Sequence, residues 1–154
     1  MKIRALVFDD DEAVREVMAS LLAARGYEVY EFSEPGSCPL SLERECQCPI
    51  GHACADFIVS DLKMPNMTGL EFVENQIIRG CKALNFILIS GSWSTSEMER
   101  AHELGCMTFN KPLGSRELFA WLDQCEKSID PERKLWDWFR KDPGRADISP
   151  QREA

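Results

Sequence analysis

Short apolar runs that each lead into a reactive or polar residue, all but the second followed by a helical pattern, limit what this chain can fold into. The runs are Ile3 to Phe8, Tyr27 to Phe32, Phe57 to Ser60, Phe86 to Ile89 and Met107 to Asn110. Each has strand length, and each is apolar enough to be buried on both faces. Between them, Val14, Val17, Met18, Leu21 and Leu22 recur at helical spacing over residues 12 to 25, with Gly26 as the stop. Leu70, Phe72, Val73, Ile77 and Ile78 repeat the pattern before Gly80, and Ser94 with Glu97 forms a capping box for a polar helix running to Gly105. Leu118, Trp121, Leu122, Cys125 and Ile129 mark a last amphipathic helix. Strands alternating with helices predict a parallel sheet covered on both faces by right-handed crossovers. Such a sheet gathers its strand ends on one edge, where ligands bind. The residues that would meet there are Asp9, Asp10, Asp61, Ser90 and Lys111.

Asp61 closes the third run, and Pro65 with Gly69 punctuates the loop behind it. Three carboxylates crowded together repel, so at neutral pH they hold a proton or gather a hard divalent cation, for which oxygen ligands favour Mg²⁺. Such a site suits phosphoryl chemistry. Asp61 would attack phosphorus, Lys111 would offer a point charge, and Ser90 a hydroxyl to the remaining oxygens. Singly, each residue has a plainer reading: Asp9 to Asp11 as a solvated helix start, Asp61 and Ser90 as caps, Lys111 as a surface charge. Their placement at separate strand ends favours a common site.

At 154 residues the chain fits one domain plus a modest appendage. A net charge of -8 argues against nucleic acid as a partner, because neutralising phosphates takes clustered Lys and Arg. No apolar run approaches the ~20 residues of a membrane span, and Asp9 comes too early for a signal peptide, so a cytoplasmic protein is expected. The 7 cysteines, an odd number, suit a reducing compartment better than a disulfide framework.

These motifs resemble those of response-regulator receiver domains of two-component signalling, over approximately residues 1 to 129. Val7-Phe8-Asp9-Asp10-Asp11-Glu12 resembles the acidic motif whose first two aspartates help hold Mg²⁺. Asp61-Leu62-Lys63-Met64-Pro65-Asn66-Met67-Thr68-Gly69 resembles the phosphoacceptor segment. The resemblance implies a flavodoxin-like (βα)5 fold, a doubly wound five-stranded parallel sheet of order 2-1-3-4-5. It also implies that Asp61 accepts the phosphoryl group and that the backbone carbonyl of Lys63 is a metal ligand. Ser90-Gly91-Ser92 matches the hydroxyl switch motif, and Lys111-Pro112 matches the lysine that a cis peptide bond usually follows. The implied partners are a sensor histidine kinase or phosphotransfer protein, and an output protein reached by repacking around the fourth helix, fifth strand and fifth helix.

Two stretches depart from that family. The aromatic switch residue commonly stands three positions before the lysine, where this chain has Thr108, and Phe109 stands one closer. Between the second and third strands, where a receiver has a helix, residues 37 to 54 instead carry Cys38, Cys46, Cys48, His52 and Cys54 among prolines and glycines. Little more than one helical turn fits, around Leu40 to Arg44. Four thiolates make a ligand set for Zn²⁺ or an iron-sulfur cluster, with His52 as a substitute ligand, although the spacing of 7, 1 and 5 residues matches no standard motif. A redox-active thiol pair and simple packing of small side chains are the alternatives. Cys81, Cys106 and Cys125 lie on or beside core elements, where packing is the expected role.

Residues 130 to 154 form an extension in which Leu135, Trp136, Trp138 and Phe139 predict a short aromatic helix before a loose tail. It would fold back on its own domain, or dock on a partner or on a second copy as a homodimer. It does not read as a DNA-binding output domain. Two rival functions stand beside the phosphoacceptor: a metal or redox sensor built on the cysteine loop, and a haloacid-dehalogenase-like phosphatase with Asp9 as nucleophile. The phosphatase reading lacks the acidic pair that should follow Lys111 on another strand.

Overall fold

The computed structural model describes residues 1–38 and 44–137. In chain order the elements are β1 (Arg4–Phe8), α1 (Glu12–Ala24), β2 (Glu28–Phe32), a 3-10 turn (Pro35–Ser37), β3 (His52–Ala53), β4 (Phe57–Asp61), α2 (Gly69–Ile78), β5 (Asn85–Ser90), α3 (Thr95–Glu103), β6 (Met107–Asn110), α4 (Ser115–Ser128) and β7 (Lys134–Leu135). The main sheet is parallel and runs β2-β1-β4-β5-β6. Setting aside the short β3 and β7, this is the expected 2-1-3-4-5 order of a doubly wound α/β fold.

Alternation along each strand divides the core in two. Ala5, Val7, Val29, Val59 and Ile87 meet Met18 and Leu22 of α1 and Leu118 and Leu122 of α4. Leu6, Phe8, Tyr30, Ile58 and Leu88 face Phe72 and Val73 of α2, Ala101 of α3 and the cysteines Cys38, Cys48 and Cys54. Both faces of the sheet are covered, which is why its strands read as nearly unbroken apolar runs. Local signals set the helix ends. Asp11 caps α1 by accepting from the amides of Ala13 and Val14, and Ser94 with Glu97 makes both bonds of the capping box on α3.

At Gly69 the first turn of α2 lies directly on the end of β4. A methyl group there would stand 2.5 Å from the Asp61 carbonyl oxygen and 2.8 Å from Leu88 Cδ2. Backbone cannot yield as a flexible side chain can, so Gly69→Ala is expected to cost about 1–3 kcal/mol of stability, the range for overpacking. Urea unfolding measures it, and a loss under about 0.5 kcal/mol would show that the helix can lift off the strand at little cost.

The N-terminal ends of the strands carry an ionic seam. Arg4, 3% exposed, donates to Glu28 at 2.6 Å and to the carbonyls of Cys54 and Trp136, and pairs with Asp137 at 3.0 Å. Arg133 forks onto buried Asp56 at 2.5 and 2.6 Å, and Asp56 also accepts the Arg4 amide. These bonds fasten the chain after α4 beneath the sheet, where β7 pairs in parallel with β3. The aromatic helix expected from Leu135 is therefore corrected at its start. Leu135 is in a strand, and the Trp136 amide donates to the Ala53 carbonyl. A tertiary partner for this backbone outweighs the local helical pattern. Trp138 and Phe139, the tail, and the turn expected around Leu40 lie outside the described residues.

Candidate functional site

The parallel register assembles the upper edge of the sheet. Phe8 pairs with Ser60, so the next residue on each strand is an aspartate, Asp9 beside Asp61. Asp61 pairs with Ile89, which places Ser90 one step beyond it, and Ser90 pairs with Asn110, which delivers Lys111 next. The amide of Lys111 donates to the Ser90 carbonyl at 2.9 Å. Asp9, Asp10 and Asp61 each bring a carboxylate oxygen within 4.8 Å of the others. Asp9 and Asp61 are buried and Asp10 is exposed, so the cluster opens to solvent on one side.

Lys111 Nζ lies 3.1 Å from Asp61 Oδ1 and 3.4 Å from Asp9 Oδ2. Burial alone would lower its pKa, but hydrogen bonding to Asp61 and the charges of Asp9 and Asp61 raise it above the ordinary lysine value. Burial pushes the Asp9 carboxyl up, and the Asp61 charge adds to this, against the Asp11 amide and Lys111, which pull it down. Three carboxylates against the Lys111 ammonium leave negative charge unmatched. That donor set of hard oxygens fits a hard divalent cation such as Mg²⁺. Asp11 is turned away from this work by its capping bonds to α1.

Ser90 lies at the same edge with its hydroxyl donating to the Ser92 carbonyl at 2.8 Å and accepting from the Ser92 amide at 3.1 Å. Lys63, in the exposed loop after β4, reaches across to Ser92 Oγ at 2.5 Å. The Lys111-Pro112 peptide bond is cis.

Residues 5–123 match the response regulator receiver domain family. The chain belongs to that family. It is 31% identical over 133 residues to the response regulator MprA of Mycobacterium sp. (strain KMS), covering 86% of this chain and 54% of that protein. It is 30% identical over 115 residues to the transcriptional regulatory protein FixJ of Azorhizobium caulinodans, covering 74% of this chain and 50% of FixJ. The chain thus spans about half the length of the curated relatives it matches. Among solved structures, a CheY-like receiver from Methanospirillum hungatei JF-1 superposes with a TM-score of 0.65 at 24% identity, covering 84% of this chain and 100% of its own. Full-length FixJ from B. japonicum gives 0.67 at 22% identity, covering 84% of this chain and 60% of its own. At such identities these structures speak for the fold alone.

Family membership displaces the phosphatase reading. In this receiver α4 follows Lys111 with no further strand of the main sheet between them, and among the described residues β7 pairs only with β3. The aromatic position also takes a definite form. Phe109 is buried on the α4 side, edge-on to Trp121 at 6.2 Å, so it does not face the Ser90 loop. Thr108 faces α3 and contacts Met98 Sδ. Trp93, from the loop after Ser90, donates its indole N–H to the Phe109 carbonyl at 3.1 Å, a contact that no sequence pattern announces.

The thiols sort differently from the sequence expectation. Cys46, Cys48 and Cys54 meet Cys81 around a small cavity, also lined by Gln76 and Arg79. Cys38 follows the opposite end of the sheet, after β2, and is buried in the core rather than lining that cavity. The His52 ring contacts the Ile50 carbonyl at 3.2 Å instead of the thiols. Cys81 packs against the core as expected, and its sulfur also hydrogen-bonds with that of Cys54. Its hydrogen bond with Cys54 brings the Cys81 thiol down to about 7, and a bond from Cys54 brings Cys48 to about 6, while Cys54 is pushed up by the same partners and Cys46 by burial. Cys106, raised to about 11 by burial alone, behaves as a packing residue. No disulfide joins any of the cysteines. No helix among the described residues is long and apolar enough to cross a membrane.

Proposed function

We propose that this receiver accepts a phosphoryl group onto Asp61 from a phosphohistidine carried by a sensor histidine kinase or phosphotransfer protein. The observation that carries the reading is the 3.1 Å pairing of Asp61 with Lys111 at the sheet edge, inside the same carboxylate cluster as Asp9 and Asp10. A carboxylate oxygen of Asp61 attacks phosphorus, the phosphorus–nitrogen bond breaks, and the imidazole leaves with its electron pair and takes up a proton. Asp9, Asp10, Asp61 and the Lys63 carbonyl would hold Mg²⁺, which supplies charge neutralisation to the phosphoryl oxygens when bound. Lys111 then exchanges a carboxylate partner for a phosphoryl oxygen. The Ser90 hydroxyl, released from the Ser92 carbonyl, turns toward another. Freeing Ser92 loosens the loop that leads through Trp93 into the capped start of α3, and so passes the new charge to the α3 and β6 surface that an output protein would read.

Beside the site, a groove of about 500 Å³ is lined by Val14, Val17 and Leu21 of α1 with Pro112 and Leu113. Val17 is 62% exposed at its rim. An apolar helical face of the phosphohistidine-bearing domain would seat there and set its histidine against Asp61.

Incubation with acetyl phosphate and Mg²⁺ should add one phosphoryl group by intact mass, removable by hydroxylamine as expected of an acyl phosphate. An unmodified mass would overturn the reading. Crowded carboxylates also make a thermal prediction. Mg²⁺ at about 100-fold excess over its Kd should add roughly 2.7 kcal/mol of stability by mass action. Asp10→Ala should raise the stability of the cation-free protein and erase the Mg²⁺ effect. Melting curves indifferent to both changes would mean that the acids do not share one ion.

A further inference from the structure

We infer that Cys46, Cys48, Cys54 and Cys81 are the ligands of a single Zn²⁺ ion that fastens the loop between β2 and β4 to the end of α2. This inference stands apart from the phosphoacceptor site, at the opposite edge of the sheet. Residues Cys46, Cys48 and Cys54 come from the loop, and Cys81 follows Gly80, whose φ of 78° ends the α2 turn. Sulfur-to-sulfur contacts run from Cys46 to Cys48, from Cys48 to Cys54 and from Cys54 to Cys81. The thiols stand in file around a cavity of about 20 Å³. That space suits one ion and is too small for the metals and sulfides of a cluster. Closing the file into a tetrahedron with zinc–sulfur distances of about 2.3 Å asks for side-chain rotation at its two ends, Cys46 and Cys81, which are the half-buried members.

The surroundings are arranged for thiolates. The amide of Cys48 donates to the Cys46 sulfur, that of Cys54 to Cys48, and that of Ala83 to Cys81. Amides aimed at sulfur would be poorly spent on side chains that only pack, whereas they stabilise metal-bound thiolates. Cationic groups stand close by. Lys82 binds the carbonyls of Cys48 and Pro49 at 2.7 and 3.1 Å, and Arg79 lines the cavity while its carbonyl accepts the Cys46 amide at 2.8 Å. They offset the charge left when one Zn²⁺ displaces four thiol protons. The loop also needs such a link, because Ile50, one of its few aliphatic residues, is 96% exposed and adds nothing to the core.

The test uses the full chain purified without oxygen. About one equivalent of zinc is expected by elemental analysis, with no iron or acid-labile sulfide. Replacement by Co²⁺ should give thiolate-to-cobalt charge transfer and the intense visible bands of a tetrahedral all-sulfur site. Cys81→Ser should weaken zinc by more than about 100-fold, since even outer partners of a metal cost 10–100-fold. Cys38→Ser and Asp61→Asn should keep full zinc content, which separates this site from the phosphoacceptor. If Cys81→Ser does not fold, Cys81→His supplies a replacement ligand and should bind Co²⁺ with a spectrum shifted to higher energy. Absence of zinc with all four thiols titratable, an iron-sulfur chromophore, or zinc that depends on Cys38 and not on Cys81 would each overturn the inference.

Discussion

Asp61→Asn is expected to take up no phosphoryl group from acetyl phosphate in the presence of Mg²⁺, against one per chain in the unaltered receiver. The amide has the shape of the carboxylate but offers no anionic oxygen for attack on phosphorus. Asp61 ends β4 at only 8% exposure, so an isosteric replacement leaves the strand, the close approach of Gly69 and the Lys111 position in place. Loss of labelling with an unchanged circular dichroism spectrum would therefore report on chemistry. Asp9→Asn should label slowly rather than not at all, because on the proposed reading it removes a ligand of the cation and not the nucleophile. Equal labelling of Asp61→Asn and the unaltered chain would sink the assignment of the acceptor.

Arg4→Met should cost about 3–5 kcal/mol in urea unfolding, the penalty for stripping the partner from a buried charge. Arg4 and Glu28 are 3% and 2% exposed at their side chains, and among the described residues Lys2, 2.8 Å from Glu28, is the cation that would remain to face the carboxylate. The same change removes the bonds to the Cys54 and Trp136 carbonyls that hold β3 and β7 under the sheet. Combining it with Glu28→Gln should recover part of the loss, since no unpaired charge is then buried. A penalty below about 1 kcal/mol would mean that water reaches the seam. The pair also sets a pH dependence. Burial alone would raise Glu28, but Lys2 and Arg4 outweigh it and hold its carboxyl below the usual value. A carboxyl depressed in the folded state contributes stability that is full above its unfolded value of about 4.3 and is lost as pH falls through the folded one. Stability should therefore drop below about pH 4.3, and in Glu28→Gln that part of the acid slope should vanish.

The strand runs, the helix periods, the Asp11 and Ser94 caps and the residues that end each strand could all be read along the chain, because each is a matter of a few neighbouring side chains. Once the alternation implies a parallel sheet, register alone carries Asp9, Asp61, Ser90 and Lys111 to one edge. Other features have no such local signature. The two-residue strands β3 and β7 are too short to show a period, and Lys134–Leu135 is extended where it pairs with His52–Ala53, with the Trp136 amide donating to the Ala53 carbonyl. Arg4 sits inside an apolar run where a charge would be expected to face water, and its burial depends on groups 24 to 133 residues away.

The cysteines show the same division. Their number and the absence of a helix pattern between the second and third strands marked residues 37 to 54 as unusual, and Cys38 was expected as the fourth thiol because it falls in the same segment as Cys46, Cys48 and Cys54. Tertiary structure decided otherwise. α2 runs from the acidic edge of the sheet to its far edge, and at that far end it sets Cys81 beside the returning loop, while Cys38 stays near the end of β2. Sequence by itself determined the doubly wound sheet and the carboxylate edge, because both follow from periodicity and strand-end position. Which thiols meet, and what the chain after α4 lies against, only the packing of distant segments could decide, because those contacts depend on where each element ends in space.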